Sequence, residues 1–79
     1  MPINPRLVEI ISLATQIPEH EITGETGPSN REEWDSLAHL TIITSIESEF
    51  KISMSMSDML SIKLVSDLQA IISSPEPEQ

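Results

Sequence analysis

The chain has 79 residues, with 13 acidic side chains against 4 basic ones, a formal charge of −9 and no cysteine. That leaves room for one small core and excludes disulfides, thiolate zinc sites and redox pairs. The charge argues against nucleic acid and against anionic membrane surfaces, both of which ask for a basic face; it suits steering towards basic patches on protein partners, or plain solubility.

Pro5 fits the first turn of a helix. Leu7, Ile10, Ile11, Ala14 and Ile17 follow at spacings of three and four, with Val8 and Leu13 widening the stripe, and Pro18 is the expected stop. Residues 18–35 read as a long loop, with Gly24, Gly27, Pro28, Ser29 and Asn30 as turn chemistry and Ile22 as its anchor in the core. A loop this long is uncommon in a compact domain, so it has a job or packs along the bundle. Trp34, the only tryptophan, is expected to pin the end of the loop against the helices.

The second predicted helix runs from Ser36 to Phe50, with Asp35 or Ser36 as N-cap. Leu37, Leu40, Ile43, Ile46 and Phe50 recur at three and four, and Ile42 widens the face. Its β-branched run weakens intrinsic helix propensity, so packing must hold it. Residues 51–56 alternate like a strand but have no partner strand, and are read as an extended connector. Ser57 is the expected N-cap of a short helix to about Ile62, and a last helix spans Val65 to Ser73. The polar, proline-broken residues 74–79 are expected to be a disordered tail after a domain of residues 1–73. The fold class is all-α: a four-helix bundle of three main helices and one short one, with the long loop between helices 1 and 2.

No apolar stretch is long enough to span a bilayer, and the first residues, Met1 to Arg6, lack a signal-peptide pattern; a cytoplasmic location is expected. Chemistry concentrates at Trp34-Asp35-Ser36-Leu37, which puts a hydroxyl in the first turn of a helix. Unpaired N–H groups and the positive end of the dipole there would stabilise a phosphate on that hydroxyl; the plain alternative is an ordinary cap. His39 lies one turn on and either meets such a phosphate or is simply solvated. Ser36, His39 and Asp35 do not make a hydrolase triad, because neighbours on one helical turn do not orient one another as a nucleophile, base and third group must. Met54, Met56 and Met59 fill the core or form an adaptable docking surface.

From Trp34 to Ile72 the chain resembles acyl carrier proteins. The likeness rests on Asp35-Ser36-Leu37, on Glu47, Glu49 and Phe50, and on Ile52, Met54, Asp58, Ile62, Val65, Asp67 and Leu68 at similar spacings. It implies a non-catalytic carrier with 4′-phosphopantetheine on Ser36, cargo held as a thioester, and Asp35 helping to position the attachment. It implies partner contacts at Leu37, Leu40, Glu47 and Asp58; Met56 and Met59 are added as candidates from the methionine cluster. The implied partners are a phosphopantetheinyl transferase, an acyl-loading ligase or acyltransferase, and pathway synthases, and the implied state is a monomer. Glu33-Trp34 before the serine and the few acids in the second and third helices resemble stand-alone carriers of a specialised lipid, polyketide or aminoacyl pathway rather than the housekeeping fatty-acid carrier. The rival reading is an unmodified acidic helical interaction module.

Overall fold

The computed structural model describes residues 3–73, so the expectation of a disordered tail at 74–79 lies outside the described residues. The described chain is all-α: α1 (Pro5–Thr15), a single 3-10 turn (Glu19–Glu21), α2 (Ser36–Phe50), α3 (Met56–Ser61) and α4 (Val65–Ser73). The expected helical bundle is therefore what forms.

Helix α1 starts where Asn4 caps it, its side chain accepting the Arg6 N–H at 2.8 Å, with Pro5 in the first turn. It stops before Pro18. Gln16 turns left-handed at φ 71°, and its N–H reaches the Ser12 carbonyl. Proline disfavours helical backbone one residue earlier, and side chains finish the end: Thr15 Oγ1 accepts the Ile17 N–H, and the Ser12 hydroxyl donates to the Ile17 carbonyl. Leu7, Ile10, Ile11 and Ile17 are buried, but Leu13 does not widen the core stripe; it is 76% exposed.

Helix α2 keeps its expected bounds and turns a different face inward. Ala38, Ile42, Ile43 and Ile46 are buried, while Leu37 and Leu40 are 72% and 53% exposed. A helix apolar on most sides leaves its inner face to the neighbour it packs on, here α1. Arg6 near the start of α1 pairs with Glu49 near the end of α2 at 3.0 Å, so the two run antiparallel.

The short helix begins two residues earlier than expected. Ser55, not Ser57, is the N-cap, and residues 51–55 form the connector. Ser55 and Asp58 cap each other reciprocally, side chain to backbone in both directions. Ser57 would face Leu60 in that role, which has nothing to return. Helix α4 buries Val65 and Leu68, and Gln69 Oε1 accepts the Asn4 N–H at 2.7 Å, joining it to the start of α1.

The long loop packs along the bundle. Ile22 and Trp34 anchor it in the core, at 7% and 1% exposure. Between these anchors its carbonyls serve α4: Thr26 accepts the Val65 N–H at 2.8 Å and Gly24 the Ser66 N–H at 2.9 Å. Those are first-turn donors with no carbonyl inside their own helix. Gly27 lies so close to the α3–α4 link that a Cβ there would sit 2.0 Å from the Lys63 carbonyl oxygen.

Candidate functional site

Ser36 is the first residue of α2, and its side chain is exposed. Asp35 holds the N-cap position with extended backbone, and its carboxylate accepts the Ala38 N–H at 2.9 Å. The cap takes one first-turn donor; the N–H groups of Ser36 and Leu37 have no carbonyl within the helix to meet. A nucleophilic hydroxyl, free of the cap, thus stands beside backbone donors at the positive end of a helix of 15 residues.

A set of side-chain and backbone contacts fixes the loop that delivers Asp35 and Ser36. Arg31 bonds Glu21 of the 3-10 turn and Glu33, each at 3.0 Å. Its guanidinium holds the Glu33 carboxyl below the usual carboxylate range, chiefly through that hydrogen bond. The Trp34 N–H closes a turn onto the Arg31 carbonyl. The buried Trp34 indole donates to His39 Nδ1 at 2.9 Å, and His39 Nε2 lies 3.1 Å from the Met59 carbonyl of α3.

His39 is half-buried, with both ring nitrogens engaged, and so is not the simply solvated side chain weighed from the sequence. The Asp35 carboxylate is turned to the backbone, so nucleophile, base and orienting acid do not form a relay. An open groove of about 550 Å³ lies beside Ser36, walled by Pro28, Trp34, Asp35, His39 and Leu60. Pro28 and Leu60 escape sequence reasoning because neither is near Ser36 in the chain. The Trp34–His39 bond had a faint signal, an indole donor a few residues before an imidazole acceptor.

The other sequence-selected positions divide. Leu37, Leu40 and Met56 are exposed, Met56 at 68%, and Leu60 joins them at 75%. Asp58 caps α3, and Glu47 is half-buried with its carboxylate on the Met54 N–H. The methionine cluster does not hold together as an exposed patch: Met54 is buried in the core and Met59 is half-buried against it.

Residues 5–72 match the family described as the phosphopantetheine attachment site. The match covers most of the chain, which belongs to that family and is a carrier of covalently attached 4′-phosphopantetheine. No match is found among curated proteins. The donor set beside Ser36 fits such a group: an exposed hydroxyl to bond it, first-turn N–H groups for its phosphate, and a groove alongside. Among the described residues no helix is long and apolar enough to cross a membrane.

Proposed function

We propose that this chain is a stand-alone acyl carrier of a dedicated pathway, with 4′-phosphopantetheine on Ser36. The observation that carries this reading is an exposed serine hydroxyl on the capped first turn of α2, inside the matched segment. The arm supplies a terminal thiol on which an acyl or aminoacyl group rides as a thioester. The chain's own residues do the rest. Asp35 caps the turn that carries the hydroxyl. The backbone donors of Ser36 and Leu37 offset the phosphate charge. The absence of cysteine leaves no protein thiol to compete for the cargo.

Leu37, Leu40, Met56 and Leu60 offer partner enzymes an apolar surface around Ser36, and the acidic charge steers them in. Those partners are a phosphopantetheinyl transferase, an acyl-loading ligase or acyltransferase, and synthases of a specialised lipid, polyketide or aminoacyl pathway. Glu33-Trp34 at the entry to the motif supports the stand-alone type.

The test is intact mass after incubation with coenzyme A, magnesium and a broad-specificity transferase. Wild type gains one phosphopantetheine increment and Ser36→Ala gains none. Asp35→Ala loses about 1 kcal/mol of stability with the cap. Asp35→Asn keeps the cap, so slower loading in that variant alone isolates the carboxylate charge. A folded wild type that takes no increment would instead support an unmodified interaction module.

A further inference from the structure

His39 is bonded on both sides by groups whose roles are fixed. A carbonyl only accepts, so Nε2 carries the proton towards Met59; an indole N–H only donates, so Nδ1 is bare towards Trp34. The two partners select one neutral tautomer. They also belong to different parts of the fold. Trp34 ends the loop immediately before Asp35 and Ser36, and Met59 lies on α3 next to Leu60, which walls the groove beside Ser36. The two rings sit 6.0 Å apart, tilted by 37°.

Both are well placed to hold the other still. Trp34 is 1% exposed, and its indole N–H has His39 as its partner. A buried indole donor left without an acceptor is costly, so the bond constrains the residue preceding the N-cap. His39 itself is rooted on α2, and its N–H donates to the Asp35 carbonyl at 2.9 Å, a bond of the same first turn.

We propose that His39 is a positioning residue for the attachment chemistry at Ser36. It touches no reacting atom. Its Nδ1 side holds Trp34, and with it the Asp35–Ser36 turn, in register with α2; its Nε2 bond to the Met59 carbonyl fixes the ring so that Nδ1 stays bare to accept. This rests on Ser36 being the attachment point.

Two substitutions separate the halves. The shorter carboxamide of His39→Asn reaches the Nδ1 position and still offers Trp34 an acceptor oxygen. The longer one of His39→Gln reaches the Nε2 position and still offers Met59 a donor. Loading of the full chain by a phosphopantetheinyl transferase with coenzyme A is followed by intact mass to give kcat/KM, and the Trp34 indole proton is read by NMR. His39→Asn is expected within about twofold of wild type, and His39→Gln to fall roughly threefold to tenfold with a shifted indole resonance, as one lost hydrogen bond allows. Trp34→Phe removes the donor but keeps an aromatic ring; it should fall by the same factor, and no further when combined with His39→Gln. Equal loading of all variants, or a fall in His39→Asn as deep as in His39→Gln, overturns the proposal while leaving the carrier reading intact. A folded wild type that takes no increment overturns both.

Discussion

The Glu47 carboxylate accepts the backbone N–H of Met54 at 2.8 Å, while the Glu47 carbonyl takes the N–H groups of Lys51 and Ile52. One residue therefore organises the exit from α2 and the connector to α3. Removing the side chain as Glu47→Ala is expected to cost about 1–2 kcal/mol in urea unfolding, as a half-buried bond to a charged acceptor does. Glu47→Gln keeps an acceptor oxygen and should lose less. Equal stability of all three forms would show the connector holding itself.

Gly27 is required for space. An added Cβ would meet the Lys63 carbonyl oxygen at 2.0 Å and the Leu64 Cα at 3.3 Å, all of it backbone that cannot swing aside. Gly27→Ala is expected to lose about 2–3 kcal/mol, at the upper end for overpacking. Gly24 is the control. A Cβ there finds only ordinary contacts, 3.7 Å from Ile3, so Gly24→Ala should stay within about 0.5 kcal/mol of wild type in the same denaturation series.

The Arg6–Glu49 pair makes a pH prediction. Hydrogen bonding to Arg6 holds the Glu49 carboxyl below the usual carboxylate range. A folded carboxyl that binds its proton less readily than the unfolded one adds stability above the ordinary carboxylate range and gives it up as pH falls through its lowered value. The Tm advantage of wild type over Glu49→Gln is therefore expected at neutral pH and should vanish as acid carries the pH below the ordinary carboxylate range and through the lowered value. Both side chains are about half exposed, so salt at about 0.5 M should shrink the advantage at neutral pH too. An advantage unchanged by acid would assign it to packing rather than charge.

Helix bounds were legible where side-chain chemistry marks them. Asp35 announces the start of α2, and its C-terminus falls at Phe50 as expected. The inner face of α2 was not legible: Leu37, Leu40, Ile42, Ile43 and Ile46 cover most of its circumference, and only the partner helix decides that Ala38 goes in and Leu37 out. Ser55 and Ser57 look alike as caps until Asp58 is seen to pair with Ser55. At the candidate site, Ser36 and Asp35 stand where the sequence places them. The rest of the groove adds Pro28 and Leu60, which only tertiary structure brings to Trp34 and His39. The loop's attachment to α4 uses main-chain carbonyls, which leave no mark in a sequence.

That attachment has a consequence for how the molecule assembles. The contacts of Gly24, Thr26 and Gly27 with the segment from Lys63 to Ser66 join parts of the chain far apart in sequence. Loop closure across such a distance comes late compared with pairing of helices that are neighbours in the chain. The loop before Ser36 is thus fastened to α4 by main-chain bonds. Loosening α4 would therefore release residues 24–27 along with it, so the order of that loop depends on a helix well removed from it in sequence.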